Sequence, residues 1–167
     1  MNLIAAVDNK WGISKENKLL ANLPSDMKYF KDKTIGKTVI MGRRTFESLP
    51  NKKGLSNRTN FVISSNNSYV APDCYVMNSL DEALFYTKDY PSNEVWLIGG
   101  ASLYNKLYNR CEYIYITKIY ADLGADTFIH NFDEDKKFTL IEYSDIIEEN
   151  SLMYQFVVYK NLEVTYD

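Results

Sequence analysis

A chain of 167 residues is long enough for one folding unit with a sizeable core, and its 46% hydrophobic and 25% charged residues, with 7 glycines and 4 prolines, exclude a disordered or fibrous polymer. The 19 basic and 22 acidic side chains nearly cancel, to a net charge of -3, leaving no broad positive field for a nucleic-acid backbone. One histidine and two distant cysteines, Cys74 and Cys111, exclude the usual zinc ligand sets, so no metal site is expected and both thiols are expected to stay reduced.

The first apolar run, Leu3–Val7, lies between Asn2 and Asp8 and is too short for a signal or membrane segment. It reads as a buried strand, and a cytoplasmic protein, monomeric by default, is expected. Asn9–Leu23 is polar, irregular and long for a loop of a compact domain, and reads as an active-site lid. A helix is expected over Pro24–Lys33, with Pro24 at its first position and Leu23 as its cap. Strands at Thr38–Met41, Phe61–Ile63, Val95–Ile98 and Tyr113–Ile119 then alternate with helices at Arg44–Leu49, Leu80–Lys88 and Ser102–Tyr108. His130 has neither a GxSxG motif nor a paired cysteine to make it hydrolytic, and reads as a loop residue. Lys137–Ile147 and Leu152–Val158, joined by the polar Glu148-Glu149-Asn150-Ser151, read as a terminal antiparallel hairpin. The expected fold is α/β: a single domain over residues 1–167, with a mixed, mostly parallel central sheet and about four flanking helices.

Asp26 falls at the third position of the first helix, where a carboxylate can simply bond free amides and oppose the macrodipole. At about 100° per residue, however, it lies on the apolar side with Leu23, Met27 and Phe30, opposite Asp32, and so points toward an apolar cleft. Burial there raises the pKa unless a cation or donor-rich ligand compensates, and a protonated aminopyrimidine-type ring would do so. The run Thr38-Val39-Ile40-Met41-Gly42-Arg43-Arg44-Thr45 reads as strand, glycine turn and helix start, carrying two guanidiniums and a hydroxyl. That suits an anion such as a 2′-phosphate; a solvated basic turn is the plainer alternative. Ser64-Ser65-Asn66 adds donors at another strand end, or is only a turn. Val95-Trp96-Leu97-Ile98-Gly99-Gly100 enters Ala101-Ser102-Leu103-Tyr104 through paired glycines that permit close backbone approach, although neither GxGxxG nor a Walker A loop is present. Three strand ends of this kind favour a ligand along the carboxyl edge of the sheet.

Over nearly its whole length the chain resembles dihydrofolate reductase. The match rests on Leu3-Ile4-Ala5-Ala6, Asn17-Lys18-Leu19, Asn22-Leu23-Pro24-Ser25-Asp26-Met27-Lys28-Tyr29-Phe30, Val39-Ile40-Met41-Gly42-Arg43, Asn57-Arg58-Thr59-Asn60, Ile98-Gly99-Gly100 and Ala125-Asp126-Thr127, in that family's order. The resemblance implies NADPH-dependent reduction of dihydrofolate to tetrahydrofolate, with hydride passing to pterin C6 and a proton to N5. Asp26 would be the catalytic carboxylate, gripping the pterin's amino group and ring nitrogen while a water entering under the lid delivers the proton. Thr117 matches the hydroxyl that bonds this carboxylate. Ile4, Ala5, Met27, Phe30, Leu49 and Ile98 would enclose the substrate, and Arg58 would hold its glutamate carboxylate. Ala6, Ile13, Leu19 and Thr127, with Ile98, Gly99, Gly100, Ala101, Ser102, Leu103 and Tyr104, fall where the family binds nicotinamide, ribose and pyrophosphate. Gly42, Arg43, Arg44, Thr45, Ser64 and Ser65 would serve the phosphates of NADPH, and antifolate small molecules would share the substrate site.

The chain departs from the family at Leu20-Ala21, where most members have Pro-Trp, so the indole N–H that helps hold a water near the pterin is missing. Ser14 stands where a loop glycine is usual, and Lys52-Lys53-Gly54-Leu55-Ser56 only loosely matches a proline-rich stretch. These changes bear on proton delivery, inhibitor fit and loop mobility. Two other readings are a catalytically silent folate- or dinucleotide-binding module, against which Asp26, Thr117 and Arg58 weigh, and a pyrimidine reductase of riboflavin synthesis, which does not predict Asp26 together with Arg58. The missing indole predicts reduced sensitivity to diaminopyrimidine inhibitors. Binding titrations should find them held more tightly by Ala21→Trp than by the wild type, and equal affinities would break the link.

Overall fold

The computed structural model describes residues 1–166. In chain order it contains β1 (Asn2–Val7), β2 (Gly12–Lys15), β3 (Lys18–Leu19), α1 (Pro24–Thr34), β4 (Thr38–Gly42), α2 (Arg43–Glu47), β5 (Thr59–Ile63) and β6 (Tyr75–Met77). There follow α3 (Leu80–Thr87), β7 (Val95–Gly99), α4 (Ala101–Leu107), β8 (Tyr113–Ile119), β9 (Thr127–Phe128), β10 (Phe138–Tyr143), β11 (Ile147–Glu149) and β12 (Leu152–Asn161).

β1 occupies the middle of the main sheet because both of its faces are apolar: Leu3, Ile4 and Val7 are all buried. The strand order is β10-β12-β8-β1-β7-β4-β5-β6, with β11 turned back on β12. From β8 to β6 the pairing is parallel, and β12 runs antiparallel to both β8 and β10. Alternation along the strands sorts side chains to two faces. Ile4, Val39, Met41, Trp96 and Ile98 form one cluster with Phe46 of α2 and Phe30 of α1, while Leu3, Ile40, Leu97, Ile114 and Ile116 join Ala83 of α3 and Leu103 and Leu107 of α4. Helices therefore cover both faces, as a parallel sheet requires. No helix among the described residues is long and apolar enough to cross a membrane.

The expected α/β architecture, its four helices and its mixed sheet are present. Three local expectations are corrected. The lid segment is not irregular throughout: β2 and β3 form a hairpin whose two turn residues, Glu16 and Asn17, take φ of 50° and 61°. The terminal hairpin does not run continuously from Lys137 to Ile147. It is split into β10, which pairs with the far half of β12, and β11, which pairs with its start. The tight turn is Asn150-Ser151, again with two positive φ values, 52° and 64°, the backbone twist that closes two-residue hairpins. The helix expected over Arg44–Leu49 is Arg43–Glu47, since the Ser48 amide closes onto Arg44 and Thr45 carbonyls and ends it. Burial pushes the Cys111 thiol up to about 12 and the half-buried Cys74 thiol to about 11, and neither is paired.

Leu97 is fully buried at the centre of the sheet. Leu97→Ala is expected to cost about 2–5 kcal/mol, read as a lower urea midpoint with an unchanged slope.

Candidate active site

α1 is laid against β8 and β12 by aromatic stacking: the Tyr29 ring lies 3.9 Å, centroid to centroid, from that of Phe156. Phe156 is the register partner of Thr117 on β8, so Asp26, one turn before Phe30 on the same helix, comes to the strand's side-chain row. The Thr117 hydroxyl donates to Asp26 Oδ1 at 2.6 Å. Burial pushes the Asp26 carboxyl above the usual carboxylate range; the Thr117 hydrogen bond opposes this, and the negative charge of Glu149 adds to it. The partial burial that helix periodicity leads one to expect of this carboxylate is present.

One turn further along α1, the half-buried Phe30 joins Ile4, Ile98 and the half-buried Leu49 in one cluster. Ala5 packs with the opposite face of the sheet, as strand alternation demands. Met27 is 57% exposed and Leu19, on the lid hairpin, 81% exposed, so neither is packed against this cluster. Arg58 is held at the other end of α1, donating to Thr34 Oγ1 at 3.0 Å and to the Ser56 carbonyl at 3.0 Å. Among the described residues its hydrogen-bond partners are neutral, and burial lowers its pKa.

At the carboxyl edge three elements converge. Gly99 has φ of 125°, and a Cβ there would meet Thr45 Oγ1 at 3.3 Å and the Tyr104 hydroxyl at 3.4 Å; one on Gly100 would meet Thr45 Oγ1 at 3.4 Å. Gly42 closes the same corner, 3.9 Å from the Gly100 amide on the same construction. Behind it Tyr104 is buried and donates to the Ile4 carbonyl at 2.7 Å, fixing α4 to β1. Of the residues expected to serve phosphates, Arg43 is engaged within its own helix, with Nε 2.7 Å from Glu47 and its guanidinium 4.4 Å over the Tyr69 ring. Ser64 is buried and accepts from the Asn66 amide at 3.2 Å. Arg44 and Ser65 are exposed, and Arg44 has no ion pair among the described residues.

The lid hairpin is docked rather than loose. The Glu16 amide donates to Asp126 Oδ2 at 2.8 Å, the Asp126 amide to the Ser14 carbonyl at 3.0 Å, and Thr127 Oγ1 to Asp126 Oδ1 at 2.8 Å. Its base is gathered by the buried Asp8, which accepts from the amides of Lys10, Gly12 and Leu123. Ile13 packs against the core and Ala6 beside Ala21 and Leu23. Sequence reasoning missed Asp8 and Glu149. Asp8 carries a weak signal, an acidic residue opening a turn; Glu149 carries none, because its partners lie on distant elements.

A mostly parallel sheet with a half-buried carboxylate on its first helix and a glycine-lined strand edge is the plan of a small-molecule α/β enzyme. The family model described as dihydrofolate reductase matches residues 1–161. A dihydrofolate reductase of Bacillus subtilis (strain 168) is 35% identical over 161 residues, covering 96% of this chain and 94% of that one. A type 3 dihydrofolate reductase of Salmonella typhimurium is 39% identical over 132 residues, or 79% of each chain. Among solved structures, dihydrofolate reductase from Enterococcus faecalis, in complex with NADP(H) and the compound RAB-propyl, superposes with a TM-score of 0.85 at 32% identity, covering 96% of this chain and 95% of that one. The chain belongs to the dihydrofolate reductase family and is an oxidoreductase.

Because the folded state raises the Asp26 pKa, it binds a proton there more tightly than the unfolded chain does, so this residue's contribution to stability falls as pH rises through that window. Asp26→Asn keeps an acceptor for Thr117 and removes the desolvated charge. Without ligand it should melt above the wild type at neutral pH, with the gap closing below the ordinary carboxylate range. A neutral-pH melting temperature at or below that of the wild type would contradict this.

Proposed function

We propose that this enzyme reduces dihydrofolate to tetrahydrofolate with NADPH, taking up one proton, and that Asp26 is its acid–base residue. The observation that supports this most is the half-buried Asp26 carboxylate, bonded by Thr117 and facing no cation. A pterin presents an amino group and a ring N–H side by side, and such a carboxylate is their complement. Ile4, Phe30, Leu49 and Ile98 would cover the ring, with Met27 and the Ala5 backbone at the margin. Arg58, whose partners are all neutral, would take the substrate's glutamate carboxylate.

The residues at the strand edge fit NADPH. Gly99 and Gly100 keep side chains out of a corner where any Cβ would crowd Thr45, and Ala101, Ser102 and Leu103 continue from them into α4. Arg44, Thr45 and Ser65 offer donors to phosphates; Arg43 and Ser64, already partnered within the fold, would shape the site from behind with Gly42. Ala6, Ile13, Leu19 and Thr127 would border the nicotinamide, and Tyr104 would hold the strand edge in place. Bound there, NADPH supplies the hydride that reaches pterin C6. Asp26 orients the ring and, through its raised proton affinity, favours a proton at N5 delivered by water. The lid hairpin keeps bulk solvent from the reacting atoms. Two unpaired thiols suit a reducing compartment, and we place the enzyme in the cytoplasm as a single-domain monomer.

The test is purified protein with dihydrofolate and NADPH, followed by loss of the reduced-nicotinamide absorbance, with NADH for comparison. NADPH-preferring turnover is expected, falling by about a hundredfold or more in Asp26→Asn, while Arg58→Ala should chiefly raise KM for dihydrofolate. Saturable binding of both ligands without turnover would instead indicate a binding module.

A further inference from the structure

The N-cap of α1 is Leu23, which provides no side-chain cap, so the first-turn amides of this helix need partners from elsewhere. They are met from the far end of the chain. The Ser25 amide donates to Glu149 Oε1 at 3.1 Å, and the Ser25 hydroxyl to Glu149 Oε2 at 2.7 Å. The Tyr154 hydroxyl donates to the same Oε1 at 3.1 Å, and Asn150 Nδ2 to the Asn22 carbonyl at 2.8 Å. The tight β11–β12 turn thus grips the start of α1 on both sides of Leu23, and the residue gripped by Glu149 is the one immediately before Asp26. We propose that Glu149 is a positioning residue for Asp26: it supplies the missing cap of α1, and so sets where the catalytic carboxylate stands and which charge it faces. This rests on the dihydrofolate reductase reading above.

The electrostatics agree in sign. An uncapped helix N-terminus favours a carboxylate in its first turn in the charged form, and here the Ser25 amide is taken by Glu149. The groups acting on or facing Asp26 are Thr117 on β8, Tyr29 on α1, Tyr154 on β12 and Glu149 on β11, and none is a cation. The donors on Ser25 hold the Glu149 carboxyl below its usual range, which favours its charged form, while Asp26 is shifted the other way. Like charges push Asp26 toward the protonated form, the direction needed for a residue that assists protonation of N5.

The experiment compares wild type, Glu149→Gln and Glu149→Asp by two readouts: the pH titration of the Asp26 carboxyl, followed by carbon-13 NMR of the ligand-free protein, and the pH dependence of the turnover rate with dihydrofolate. Glu149→Gln is expected to move both curves to lower pH, with turnover on the acid plateau within about twofold of wild type, and Glu149→Asp to restore them in part. Curves for Glu149→Gln that coincide with wild type would overturn the proposal, as would an equal loss of turnover at every pH, which is the mark of a structural role alone. Should Glu149→Gln not fold, rising salt on the wild type takes its place, since screening a partly exposed charge must lower the Asp26 titration if Glu149 holds it up; no salt shift would overturn it. Absence of turnover in the wild type would sink the functional reading, while the carboxyl titration would still decide the role of Glu149.

Discussion

The hydrogen bond from Thr117 to Asp26 spans 91 positions of sequence and joins the first helix to the sheet at the half-buried carboxylate. A carboxylate half-removed from water loses hydration that a single neutral hydroxyl replaces only in part. The remaining deficit raises the proton affinity of the group, and contacts along α1 hold it in that setting. Tyr29 stacked on Phe156, Phe30 set among Ile4 and Ile98, and Glu149 bonded to Ser25 each hold a different part of that helix. Stability is thereby given up locally and recovered in the sheet, whose central strands are buried on both faces.

The other half of the site depends on backbone rather than charge. Parallel strands deliver their carboxyl ends to one edge, and short connections there must turn into helices. Gly42, Gly99 and Gly100 occupy the corner where β4 and β7 both turn, with Thr45 packed against Gly99 and Gly100 and Tyr104 against Gly99 at distances that leave little room for a Cβ. The lid hairpin joins this edge through Asp126 and is anchored at its base by Asp8, so the segment that would cover the ligands is ordered by hydrogen bonds to its own neighbours.

Much of this arrangement was legible in the residues themselves. Strands that are apolar on both faces read as short unbroken runs, the periodicity of α1 turned Asp26 toward its apolar side, and the strand-end glycines marked the ligand edge. The lid hairpin was not legible, since Glu16-Asn17 lacks the glycine that usually announces such a turn, and β2, β3, β6 and β9 are too short to impose a pattern. Nor could the sequence show that Arg43 would fold back on Glu47 and Tyr69 while Arg44 remained exposed. Adjacent arginines look alike until the helix that carries them is built.

The family motifs, the class of fold and the apolar side of α1 on which Asp26 lies were thus determined by sequence alone, because each depends on residue type and on spacing within one element. Tertiary structure alone decided that Thr117 and Glu149 meet the same turn of α1 from opposite directions, one bonding Asp26 and the other capping Ser25. Hydrogen bonds between elements distant in the chain depend on strand order and register, and these are set by how the whole core packs rather than by any local run of residues.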